Sequence, residues 1–146
     1  MMTRLQITVW ILAFASAGCG SVFGPESVAT SFQTQCPSGL AQIQLADGFS
    51  RVLCGCQGVT DGQATIPPAI LNCTINAGEK VWFRFEGALG SHWIVSSGTP
   101  SFPSSVVVDP EVFPVPPVHA VTFTAPGTYS FHDGITPSIQ GTITVL

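Results

Sequence analysis

Charge is what this 146-residue chain has least of: charged residues make up 8% of it, four basic against eight acidic. A nucleic-acid-binding surface needs a basic patch, and a chain this poor in Lys and Arg cannot build one. Long apolar runs are missing too. The longest, Leu5 to Ala17, has 13 residues, short of the roughly 20 that a membrane-spanning helix needs. No window of helical length carries a sustained 3.6-residue apolar stripe, which argues against helices. Cysteine stops at Cys73 and histidine is limited to three residues. There is no nucleophile elbow and no pair of carboxylates at useful spacing, and Asp109-Pro110-Glu111 reads as a solvated turn. We therefore expect no enzyme.

What the N-terminus does have is Arg4 as its only charge, the apolar run, small residues at the end of that run, and then Cys19. That is the pattern of a signal peptide, residues 1–18, on an exported protein. Ala15-Ser16-Ala17 satisfies the small-x-small rule of ordinary secretion, while Ser16-Ala17-Gly18-Cys19 resembles the lipobox of bacterial lipoproteins, with Ser16 where Leu is usual. Lipidation of Cys19 is the favoured reading, because it leaves an even number of cysteines for the oxidising compartment. It would attach the protein to a membrane of the cell envelope, facing the periplasm or the exterior. Residues 19–35 then read as a flexible spacer and 36–146 as one domain, of a size that carries its own core.

The remaining cysteines, Cys36, Cys54, Cys56 and Cys73, read as two disulfides. Cys54 and Cys56 are too close to pair with each other, which leaves 36–54 with 56–73, or 36–56 with 54–73. Cys54-Gly55-Cys56 as a soft-metal site is the less favoured alternative.

Between Gly and Pro punctuation, β-branched and aromatic residues alternate with polar ones, which specifies an all-β chain. The clearest strands are expected at Lys80 to Glu86, His92 to Ser96, Ala120 to Thr124, Thr128 to Asp133 and Gly141 to Leu146. Weaker ones fall at Leu40 to Leu45, Ser50 to Cys54 and Ile70 to Ile75. Seven or eight short strands suggest a sandwich. Six of the twelve prolines fall between Thr99 and Val118, so that stretch is a surface excursion. Its Phe102, Val112, Phe113 and Val115 either form an apolar patch or fold back onto the sandwich.

The segment Gly127-Thr128-Tyr129-Ser130-Phe131-His132-Asp133, followed by Pro137 and Gln140-Gly141-Thr142-Ile143-Thr144-Val145, resembles the end of a cupredoxin. In that family, of which plastocyanin is a member, Gly-Thr-Tyr-x-Phe/Tyr-x-Cys-x-x-His-x-x-Met-x-Gly precedes the last strand. Asn76-Ala77-Gly78-Glu79-Lys80-Val81 resembles the turn before a core strand of the family, and Gly90-Ser91-His92-Trp93-Ile94-Val95 the segment bearing its first copper ligand. The likeness spans 71–146 and implies a Greek-key β-sandwich of the cupredoxin type.

The same resemblance implies a blue copper centre, which needs a thiolate, two imidazoles and usually a thioether. Only His92 is retained. Asp133 stands at the Cys position, Thr136 at the second His and Ile139 at the Met. No cofactor is expected on this reading, and the protein is expected to be a non-redox binding or structural module whose partner is an envelope protein or a small ligand. The alternative is a metal-binding protein of the copper-handling or electron-transfer kind. If Ala125-Pro126-Gly127 is a hairpin turn, Phe123 opposes Tyr129, Val121 opposes Phe131 and His119 opposes Asp133. His92, His119 and Asp133 would then form a two-His, one-carboxylate set able to take copper or zinc. Otherwise His92 packs beside Trp93, Asp133 caps its loop and His119 is exposed. His132 alternates with Asp133 and is expected on the outer surface.

Overall fold

The computed structural model describes residues 36–109, 112 and 118–146. The expected signal peptide, Cys19, the spacer, and Phe113 and Val115 lie outside the described residues. Eight strands are formed: β1 (Leu40–Leu45), β2 (Ser50–Cys54), β3 (Ala69–Ile75), β4 (Lys80–Arg84), β5 (Ile94–Ser97), β6 (His119–Thr122), β7 (Gly127–Asp133) and β8 (Ile139–Val145). Each expected strand is present within a few residues of its expected ends. His92 is displaced from its strand: it precedes β5 and makes an isolated bridge to Val108.

The strands form two four-stranded sheets, ordered β2-β1-β4-β6 and β3-β8-β7-β5. Strand β1 runs parallel to β4, and β3 parallel to β8. From β2 to β7 each successive strand lies in the other sheet, so only β1–β2 and β7–β8 are hairpins. The period-2 pattern sends one face of each strand inward. Ile43, Val81, Phe83, Phe131, Ile143 and Val145 meet in the interior. Phe83 lies at its centre, its ring edge-on to Phe131 at 5.1 Å and stacked on Phe102 at 5.9 Å.

The expected β6–β7 hairpin does not form. β6 pairs with β4 and β7 with β5 and β8, so Ala125-Pro126-Gly127 arches from one sheet to the other. Alternation identified the inward faces correctly but cannot say whether two such faces meet along a ladder or across a core. Here they meet across the core: the rings of Phe123 and Tyr129 pack edge to face at 4.9 Å, and the Tyr129 hydroxyl donates to the Ala125 carbonyl at 2.9 Å. His119 is therefore not opposite Asp133.

The disulfides resolve the open pairing as Cys36–Cys54 and Cys56–Cys73. Both sulfurs of Cys54-Gly55-Cys56 are thereby consumed, so this segment offers no thiolate to a metal. Gly55 separates the two bridges with φ +83°, and a Cβ there would lie 2.2 Å from the Leu40 carbonyl oxygen. Only glycine fits. In the proline-rich excursion Phe102 folds back into the core, 8% exposed, whereas Val112 stays 67% exposed.

Gly141 shows how closely β8 approaches its neighbours, since a Cβ there would lie 1.9 Å from the Leu71 oxygen and 2.7 Å from the Phe131 ring. Gly141→Ala should therefore lower stability by about 2 kcal/mol through overpacking. Gly48→Ala, with nothing within 4 Å of the added methyl, should stay within about 0.5 kcal/mol. Urea unfolding of the two variants measures the difference, and equal midpoints would contradict the packing described.

Candidate functional site

His92 reaches its position through reciprocal backbone bonds with Val108, 3.0 Å from its own N–H and 2.8 Å to its own carbonyl. Its ring is fully buried. Asp133 ends β7, directly opposite Ile94 at the start of β5, and is fully buried as well. A buried carboxylate is tolerable only when its oxygens are satisfied. Oδ2 meets His92 Nδ1, while Oδ1 accepts from the Ile135 amide at 3.0 Å and the Trp93 amide at 3.4 Å. Asp133 thus caps the β7–β8 loop and also holds the histidine.

The other side of the imidazole faces a residue that the sequence reading missed. Asp47, in the β1–β2 turn, places Oδ1 3.4 Å from His92 Nε2, an ion-pair distance without the geometry of a formed hydrogen bond. Asp47 Oδ2 is anchored by the Gly90 amide at 2.9 Å and by the Leu89 amide. Gly90 permits this approach, because a Cβ there would come within 2.9 Å of the same carboxylate. Ala46-Asp47-Gly48 reads locally as a turn, and nothing in the sequence joins it to a loop more than forty residues away.

A carboxylate facing each nitrogen favours the doubly protonated ring, whose charge both carboxylates attract while Nδ1–H donates to Asp133. Burial by itself lowers the His92 pKa, but the hydrogen bond and charge of Asp133, joined by Asp47, outweigh it and raise the value above 6.5. Burial raises Asp133, yet the His92 hydrogen bond, the Ile135 amide and the His92 charge bring it below 3.8. Burial likewise raises Asp47, and the Gly90 and Leu89 amides together with His92 lower it.

The remaining sequence-predicted positions lie apart from this arrangement. His119 is in β6 of the other sheet, donates from Nε2 to the Pro103 carbonyl at 2.8 Å and stacks on Phe83. Thr136 is half-buried, and its carbonyl accepts from the Ile139 amide at 2.8 Å in the β7–β8 turn. Ile139 is fully buried core. His132 is half-buried on the outer face of its sheet.

Copper does not fit these residues. His92 Nδ1 is occupied by Asp133, and Nε2 faces Asp47. The two ring nitrogens point in different directions, so the two carboxylates cannot converge with the ring on one ion. Among the described residues no three His, Cys, Asp or Glu side chains are grouped to hold a metal.

No family model matches the chain, and no curated protein matches it. Among solved structures it is similar to a purple cupredoxin from Nitrosopumilus maritimus, at 19% identity and TM-score 0.49, over 73% of this chain and 99% of that one. It is similar to plastocyanin from Dryopteris crassirhizoma at 20% identity and TM-score 0.46, over 73% of this chain and 100% of that one. Amicyanin from Paracoccus versutus matches at 16% identity and TM-score 0.46, over 76% and 85%. With eight strands in two mixed sheets and no helix among the described residues, the domain has a cupredoxin-like fold. The likeness is one of fold, and in this cupredoxin-like domain the ion pair stands where the resemblance implied copper ligands.

Native His92 holds its proton more tightly than the unfolded chain does. Its contribution to stability is complete below the unfolded value of 6.5 and is lost as pH rises through the raised native value. Asp133 acts in the opposite sense: its contribution is present above 3.8 and lost as pH falls through the lowered native value. The urea midpoint should therefore decline as pH is raised from below 6.5, and Asp133→Asn should flatten that decline. Asp133→Ala, which strands the buried ring, should cost about 3 kcal/mol at mildly acidic pH. An equally steep alkaline decline in Asp133→Asn would rule out the pair as its source.

Proposed function

We propose that this protein is an exported cupredoxin-like module, anchored by a lipid on Cys19 to a membrane of the cell envelope, that binds or scaffolds without redox chemistry or catalysis. The observation that carries the reading is the closure of Asp133 on His92. A carboxylate at the thiolate position is a hard oxygen donor, and this one is already engaged by the imidazole and the Ile135 amide. Rapid one-electron exchange at copper relies on a soft sulfur ligand shared by both oxidation states, and the loop contains none. Against catalysis stands the burial of the same His–Asp pair: a general base must come within hydrogen-bond reach of substrate, and His92 has no solvent-facing surface. Its partner, on this reading, is an envelope protein or a small ligand.

Export rests on the leader and on the two disulfides, which persist in oxidising compartments. Mass spectrometry of the purified chain should find an acylated Cys19 at a new N-terminus, and Cys19→Ala should release the protein from the membrane fraction. An unmodified chain beginning beyond Cys19 would reject the anchor.

The non-redox reading is checked by titrating purified protein with Cu(II) and with Zn(II). No intense blue band and no stoichiometric binding are expected. One-to-one binding that disappears in both His92→Ala and Asp133→Ala would overturn the reading in favour of a metal protein.

A further inference from the structure

The two outer faces of the sandwich differ in kind. All three Lys and Arg residues of the domain, Arg51, Lys80 and Arg84, lie on strands of the β2-β1-β4-β6 sheet, at positions that alternate with buried Val52, Val81 and Phe83. On the outer face of the β3-β8-β7-β5 sheet, no Asp, Glu, Lys or Arg projects from any strand.

That uncharged face is ordered by the strand register into rows of hydroxyl and amide groups. Asn72, Thr142, Ser130 and Ser97 stand side by side across all four strands, and Gln140 and His132 form part of the next row. Neighbouring strands place these groups about 4.8 Å apart. Thr142 donates to Asn72 Oδ1 at 3.0 Å, which fixes the Asn72 amide with its two N–H donors directed elsewhere. A groove of about 480 Å³ runs over these rows, with Ile70 and Pro137 as apolar flanks. Ile70 is 64% exposed, a large apolar side chain left beside polar ones. The volume falls within the roughly 300–1,000 Å³ of small-ligand sites.

We propose that this groove binds a neutral oligosaccharide. Side-chain hydroxyls and amides both donate and accept, as sugar hydroxyls do, and their regular spacing along the groove suits a chain of repeating rings. Ile70 and Pro137 offer apolar surface to the C–H faces of those rings. The lack of formal charge disfavours acidic or basic polymers, whose ionised groups would be desolvated there without a counter-charge. This names a ligand for the binding-module reading and rests on it. The two fail separately, since sugar binding reports nothing about copper.

The test uses the chain carrying Cys19→Ser, so that no acyl chain contributes, titrated with chitohexaose, cellohexaose and maltohexaose while backbone amide NMR shifts are followed. At least one hexasaccharide should give saturable shifts centred on Asn72, Ser130, Gln140 and Thr142. Ser130→Asp and the milder Gln140→Ala should each weaken binding by about tenfold or more, with amide shifts elsewhere unchanged. Lys80→Gln on the opposite face should leave the affinity unaltered. The proposal is overturned if none of the three sugars gives saturable shifts at these residues. It is equally overturned if anionic polygalacturonate or an uncharged Gly-Ser peptide binds there more tightly.

Discussion

A lone ionised carboxylate in a protein interior is prohibitively unfavourable, so Asp133 dictates much of what surrounds it. Its two oxygens draw in the His92 ring, the Trp93 amide and the Ile135 amide. That fixes the segment before β5 against the end of β7 and sets the turn into β8. On its far side His92 faces Asp47, which in turn secures the loop at Leu89 and Gly90. Three chain segments far apart in sequence are thus joined through one imidazole. Gly134 belongs to the same economy of space: its amide donates to the Trp93 carbonyl at 2.9 Å, and a side chain there would collide with the Trp93 indole.

Much of this architecture was legible in the sequence, because strand faces follow from alternation alone. Val81, Phe83 and Phe85 were readable as one inward face, and all three are buried. The departures from the resembled motif at Asp133, Thr136 and Ile139 were readable because Gly127, Tyr129 and Gly141 keep in step with it. Pairing partners were not readable. Alternation is the same whether β6 faces β7 along a ladder or across the core, and that ambiguity placed His119 at the wrong site. Asp47 was hidden for a related reason, since a turn residue gives no local sign of a contact with a remote loop. The cysteine spacing left two disulfide patterns open, and only the three-dimensional course of β2 and β3 distinguishes them.

The contrast between the two faces has a physical basis. A domain with so few charges keeps its cations where they can be neutralised or spread: Arg84 forks onto Glu86 and reaches Gln42 Oε1 at 2.6 Å, while Arg51 donates to Gln44 Oε1 at 2.8 Å and sits over the Phe49 ring. These bonds explain why Gln42 and Gln44, polar residues on an outer face, are nonetheless buried. The opposite face relies on hydroxyl and amide groups for its wetting, which leaves it polar without a strong field.

The disulfides give the domain a mechanical property. Cys36 is joined to Cys54 in β2, and two residues further on Cys56 is joined to Cys73 in β3, in the other sheet. An unbroken covalent route therefore runs from the N-terminal side of the domain into both sheets. Tension applied at Cys36 would be divided between the two layers instead of peeling β1 from its neighbours one hydrogen bond at a time.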